Sequence, residues 1–373
     1  MNKKYLIFGL FIILSILSCE PDKAGKDITD TTDGIVSLPQ ALVDVDQLLA
    51  ELAGEPQKLS ASSDKPSDLT GQMGTIIHID PKALETVDGT ALGKTIEVEL
   101  LEMTDKSSLL LHNAPTVSNG KLLETGGAYY LNMTSDGKQL KMKSNKALQI
   151  EFPKLTDKAM ELFTGEKDAM GKINWLPTKE SFNRKDLVAP KKPKAPSKAK
   201  PVKKSSHAVN DIFAYIDEDW DSASDEEREK YFKEKAAYEV YMKEYEINRK
   251  TYERIELRGF GWINCDRFLK EKVPLVNIKI LSARDTLASG RYYAIFEDIN
   301  SLMMQEFWAG RSEKPSFVNI PRGKNIRIIG ISFQKGKSLY FEKVINTASE
   351  QEVRVDFTEM GKSEIKERLA NLN

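Results

Sequence analysis

Chemistry in this chain would have to come from few side chains. Cys265 lies in Gly261-Trp262-Ile263-Asn264-Cys265-Asp266, a thiol flanked by asparagine and aspartate. A nucleophilic thiol needs its pKa lowered by a histidine or a helix end. No histidine is close in sequence, so a buried structural cysteine is favoured over a reactive thiol. The three histidines, His78, His112 and His207, lack metal-ligand spacing, and a zinc site needs several converging ligands. Asp217, Asp219, Asp221 and Asp225 imitate the start of a calcium loop. However, Ser222 replaces the turn glycine and Arg228 stands where the bidentate glutamate belongs. Ser62-Ser63-Asp64-Lys65 and Ser135-Asp136-Gly137-Lys138 match Ser-x-x-Lys but lack the companion Ser-Asp-Asn and Lys-Thr-Gly. No G-x-S-x-G, H-E-x-x-H or phosphate-binding loop occurs. These residues point to no catalytic set, no metal and no cofactor.

The second cysteine, Cys19, has a different context. Lys3 and Lys4 precede an apolar run from Tyr5 to Leu17, shorter than the roughly 20 residues a membrane span needs. That is the layout of an export signal. Ile16-Leu17-Ser18-Cys19 resembles the lipobox of bacterial lipoproteins, with Ile16 where leucine is commoner. The resemblance implies cleavage before Cys19 and lipidation of its thiol and new amino group. Glu20 stands where aspartate would retain a lipoprotein at the inner membrane. The implied location is therefore the cell envelope, lipid-anchored at the outer membrane, facing periplasm or surface. Acidic Glu20 and Asp22 are also similar to the export tags of surface lipoproteins.

The positioning elements read as mainly β with a helical connector: two β-sandwich domains joined by a Lys/Pro linker and one long charged helix. After the signal (1–18), residues 19–71 form a tether with a short amphipathic helix. Ser37 and Gln40 make a capping box, and Leu42, Val45, Leu49 and Leu52 share a face. Glu55 to Gln72 reads as loose. Residues 72–182 form the first sandwich, with β-prone runs at 75–79, 95–101, 109–112, 128–133, 140–143 and 148–152. Asp136-Gly137 is its clearest hairpin turn. A helix is expected over Asp157–Phe163. Leu122-Leu123-Glu124-Thr125-Gly126-Gly127 loosely resembles a strand turn of ZU5-like sandwich modules, which implies binding or assembly.

Residues 183–222 form a Lys/Pro-rich, then acidic, linker, extended by proline and charge repulsion. Its Lys-Pro run is similar to the spacers of TonB-type proteins. The long helix (223–256) opens on Ser224-Asp225-Glu226-Glu227, a capping box with acids at the positive dipole end. Tyr231, Tyr238, Tyr245 and Tyr252 recur every seven residues. This stripe suits packing on a sheet or binding a partner. Residues 257–373 form the C-terminal sandwich, closed by a helix over Ile365–Leu372. Phe317-Val318-Asn319-Ile320-Pro321-Arg322-Gly323-Lys324 resembles the turn of carboxypeptidase regulatory-like, transthyretin-like sandwiches.

Charge is nearly balanced, 55 basic against 56 acidic residues, which argues against nucleic acid as a partner. The leading reading is a non-enzymatic envelope lipoprotein, a binding or adaptor module. Its partners would be the membrane, through lipid, and an envelope protein or cell-wall polymer. Oligomeric state is left open. The alternatives are a thiol-dependent envelope enzyme centred on Cys265, or a glycan-binding lipoprotein presenting Trp308 and Tyr129.

Overall fold

The computed structural model describes residues 39–168, 171–185, 189, 191–194, 223–270, 272–282, 289–308 and 314–372. Cys19 and the lipobox, Glu20, Asp22, Ser37, His207, Asp217, Asp219, Asp221, Ser222 and most of the Lys/Pro run lie outside them.

The chain begins with α1 (Gln40–Ala53), β1 (Gln57–Ser62), β2 (Ser67–Thr70), β3 (Ile76–Ile79), β4 (Leu84–Thr86) and β5 (Thr95–Met103). Next come α2 (Lys106–Leu111), β6 (Val117–Ser118), β7 (Lys121–Ser135), β8 (Lys138–Met142), β9 (Leu148–Glu151), β10 (Met160–Lys167) and β11 (Ile173–Phe182). Helix α3 (Asp225–Asn248) precedes β12 (Ile255–Leu257), β13 (Gly261–Phe268), β14 (Leu275–Ser282), β15 (Ser289–Phe296) and β16 (Leu302–Trp308). The chain then runs through β17 (Ser316–Pro321), β18 (Asn325–Gln334), β19 (Lys337–Asn346), β20 (Glu352–Val355), β21 (Thr358–Glu359) and α4 (Lys362–Ala370). Strand accounts for 49% and helix for 19% of the described residues, the mainly β class expected.

Local chemistry explains several of these elements. Asp136 and Gly137 both have positive φ, 49° and 73°, the geometry of the tightest hairpins, and they join β7 to β8. Ser224 and Glu227 cap α3 reciprocally: Glu227 N donates to Ser224 Oγ (3.2 Å), and Ser224 N donates to Glu227 Oε2 (2.9 Å). The expected box at the start of α1 involves Ser37, outside the described residues; the Gln40 amide donates to Asp44 one turn on, at 2.9 Å. The expected strand at 109–112 is the helix α2, begun by a capping box between Asp105 and Ser108. The expected helix over 157–163 gives way to β10, whose Met160, Leu162 and Phe163 are buried between neighbouring strands. Residues 55–72 are not loose either, since β1 pairs with β5 and β2 with β3.

The first sandwich stacks a large sheet, in order β1-β5-β7-β13-β10-β11, on a smaller one, β12-β9-β3-β2. The second stacks β16-β15-β18-β19-β21 on β17-β14-β20. Strand β13 lies between β7 and β10, and β12 pairs with β9. The expected boundary at 256/257 therefore moves: residues 255–268 complete the first sandwich, and the second begins near β14. Each sandwich has its own apolar core. A third cluster joins α1, α2 and α4 to both large sheets through residues such as Leu48, Leu109, Trp175, Ile329 and Leu369. The helices thus form a shared middle layer, and Leu38–Asn373 is a single unit.

That layer explains the aliphatic run of β18. Ile326 and Ile328 enter the sandwich core while Ile329 and Ile331 enter the helical layer, so both faces of the strand are buried. Each fully buried isoleucine contributes about 1.5–3 kcal/mol. Arg291 of β15 fastens α1 to this layer. Its side chain is 2% exposed and forks onto both carboxylate oxygens of Asp46, with Nη2 also 3.3 Å from Glu306 Oε1.

Candidate functional site

Cys265 is wholly buried, 0% exposed, in β13. Opposite it, β7 carries an extra residue, because Asn264 faces Ala128 while Asp266 faces Thr125. The bulge falls at Gly126-Gly127. Gly127 has φ +126°, and a Cβ there would lie 2.6 Å from the Tyr129 hydroxyl, so glycine is required. Thr125 Oγ1 accepts from Gly127 N (2.9 Å) and donates to Asn264 Oδ1 (2.9 Å). Asn264 Nδ2 then donates to Asp266 Oδ2 at 2.7 Å. Burial, and then the neighbouring Asp266, push the Cys265 thiol pKa well up. Burial also raises Asp266, and the charge of Glu124 adds to it. Such surroundings suppress a thiolate rather than generate one, which favours the expected buried structural cysteine. The Leu-Leu-Glu-Thr-Gly-Gly run is a polar bulge inside a core.

The long helix has a different root from the one expected. The sequence predicts a connector between domains, yet the chain enters and leaves at one place. Arg184 pairs with Tyr252 and Pro153 with Thr251 as antiparallel bridges. Lys154 N donates to Lys250 O (2.7 Å), and Glu253 N donates to Asn183 O (3.0 Å). Glu151 holds both ends: it accepts from Lys185 Nζ (2.6 Å), Thr251 Oγ1 (3.0 Å) and Arg254 Nε (3.1 Å). Burial works against ionisation of Glu151, but the bonds from Lys185, Arg254 and Thr251 prevail and hold its pKa at about 2. The segment between Lys185 and Thr251, described at 189, 191–194 and 223–250, is therefore an insertion within the first sandwich, called the arm below.

This root also ends α3 at Asn248, because Thr251 and Tyr252 are drawn into the bridges. Tyr252 leaves the stripe and is buried against Phe182, ring centroids 5.2 Å apart. Tyr231, Tyr238 and Tyr245 remain along one side of α3, half-buried. No described side chain of α3 is buried. Phe232, Val240 and Tyr241 are 57%, 61% and 62% exposed. Tyr238 and Tyr241 border a groove shared with Lys191, Lys192 and Pro193, so the described part of the Lys/Pro run lies beside the helix.

The two described histidines, His78 and His112, sit on separate elements. His78, in β3, sits with Nδ1 2.7 Å from Asp68 Oδ1 and Nε2 3.3 Å from Glu151 Oε1. It lines a hollow of about 440 Å³ with Asp80, Lys146 and Arg254, so side chains of both charges are present there. His112 caps the end of α2, and burial, then the nearby Lys167, lowers its pKa. Among the described residues no three His, Cys, Asp or Glu side chains converge as a metal site. Asp225 opens α3 and pairs with Arg228 at 3.6 Å.

Neither Ser-x-x-Lys match forms a nucleophile. Ser135 Oγ donates to Thr95 O (2.7 Å), while Lys138 Nζ donates to Thr90 Oγ1 (2.9 Å). Ser62 serves a turn with Asp64. Tyr129 is 0% exposed and cannot stack on a sugar, whereas Trp308 is half-buried at the end of β16. Sequence reasoning missed Glu151 and Arg291. Their signal was present, a charge inside an apolar strand run: Leu148-Gln149-Ile150-Glu151-Phe152 and Gly290-Arg291-Tyr292-Tyr293.

No known protein family matches the chain, and no curated protein or solved structure is similar to it. Among the described residues no helix is long and apolar enough to cross a membrane.

Proposed function

We propose that this protein is a non-enzymatic binding or adaptor lipoprotein of the cell envelope, anchored through Cys19, whose partner-binding element is the inserted arm 186–250. The observation that carries the reading is α3, a 24-residue helix with none of its described side chains buried. A helix folded for its own core would hide an apolar stripe. This one is held by its caps and charge pairs and keeps Phe232, Val240 and Tyr241 mostly in water. Lys185 and Arg254, which flank the inserted segment, are both bonded to Glu151, so a partner gripping the arm would pull on the body at one fixed point. The lipobox resemblance supplies the anchor, and several acyl chains hold a protein where one binds only marginally.

Photo-crosslinking residues placed at Phe232 and Tyr241 of the full-length chain, in intact cells, test this. The reading expects one envelope protein joined at both positions, with Cys19→Ala releasing the chain from the membrane fraction. Crosslinks confined to the chain itself would contradict the arm's role. A Cys19→Ala chain still in the membrane fraction would contradict the anchor.

A further inference from the structure

Where the start of β7, the end of β13, and strands β14 and β17 meet, they leave a cleft of about 690 Å³. That lies within the ~300–1,000 Å³ range of small-ligand sites. Its floor is apolar, built from Leu122 and Phe268. One wall is formed by Val273 and Leu275, which remain 38% and 57% exposed.

Among the described residues that line the cleft the charged ones are Lys121 and Lys270, both basic. The Lys121 ammonium lies 5.9 Å from the centre of the Phe268 ring, so the positive charge sits over the apolar floor. The hollow beside His78, by contrast, is lined by side chains of both signs.

The shape also discriminates against an added strand. β17 is an edge strand of its sheet, but its pairing with β14 slips between Val276 and Ile278. Asn319 there has φ +61°, with its N–H given to the Asn277 side chain at 3.2 Å. Such a bulge interrupts the ladder that an extended peptide would need.

We propose that this cleft binds a long-chain carboxylic acid, its alkyl chain on Leu122, Phe268 and Leu275 and its carboxylate between Lys121 and Lys270. The ligand chemistry follows from the pairing of an apolar trough with two ammonium groups. A chain of methylenes fills the trough, and the head group meets the cations without any buried charge left unpaired.

Calorimetric titration of the full-length chain with straight-chain carboxylates from octanoate to hexadecanoate tests the proposal, with the matched alcohols alongside. Affinity is expected to rise about fourfold per added methylene until the trough is full. Each alcohol is expected to bind about tenfold more weakly than its acid, the size of a charge-assisted bond. Lys121→Glu with Lys270→Glu should abolish the preference for the acid. Leu275→Asp should weaken binding about tenfold while the unfolding midpoint stays put, since Leu275 is exposed. Affinity independent of chain length, equal binding of acid and alcohol, or unchanged binding by the folded Leu275→Asp variant would each overturn it.

Discussion

Replacing Glu151 by glutamine probes the root of the arm in a way that pH can resolve. The Glu151 carboxyl is held at about 2 instead of the ordinary 4.5. At about 1.4 kcal/mol per pH unit, this contributes about 3 kcal/mol to the folded state at neutral pH. Part of that comes from Arg254, which is half exposed and screened by water, so about 2 kcal/mol is the expected net value. Because the folded pKa is depressed, the contribution is complete above pH 4.5 and is lost as pH falls towards about 2. Other carboxylates titrate in both proteins, so the difference between parent and Glu151→Gln isolates this group. Urea unfolding of both should give a gap of about 2 kcal/mol at neutral pH that shrinks through the acid range and closes near pH 2. A gap that is absent at neutral pH, or unchanged by acid, would refute the argument that Glu151 locks the arm by charge.

Other expectations follow from the same packing. Asp266 is buried with its pKa raised, so the fold binds its proton, and ionisation destabilises the protein as pH rises above about 4. Asp266→Asn should therefore gain stability over the parent at pH 8 and lose that advantage at pH 4; equilibrium unfolding at the two values checks it. Cys265 should resist alkylation in the folded chain and react completely in denaturant, followed by mass spectrometry, because it has no exposed surface. Arg291→Ala removes the buried guanidinium that pairs with Asp46 and should cost about 3 kcal/mol by chemical unfolding. Double substitution with Asp46→Ala should recover part of that loss, since the two side chains form one pair.

Much of the frame was legible because it rests on local chemistry. Asp136-Gly137 announces a hairpin through its positive φ, and Ser224 with Glu227 announces the start of α3. The alternating and aliphatic runs reveal strands wherever they meet a core, as in β18. What local chemistry does not carry is pairing between distant segments. Nothing in 255–268 marks it as the strand that fills the gap between β7 and β10. Residues 157–163 have helical composition, yet β10 is set by its neighbours on both sides, where packing overrides propensity. The seven-residue spacing treated Tyr252 as one of four equivalent tyrosines. Bridges to distant residues end the helix first and bury that ring in the sandwich. Charges within apolar runs deserved more weight, since Glu151 and Arg291 both hold distant segments together through ion pairs with partners far away in sequence.

The central claim is that the body supports the arm and the arm binds. The most direct test deletes residues 186–250 and joins Lys185 to Thr251 by a short glycine-serine link, since Arg184 and Tyr252 are already bridged. The deleted and full-length chains are then compared for thermal unfolding and for capture of the protein crosslinked at Phe232 and Tyr241. An unchanged unfolding midpoint with capture abolished is the predicted result. Capture that survives the deletion would place binding on the sandwiches and contradict the claim.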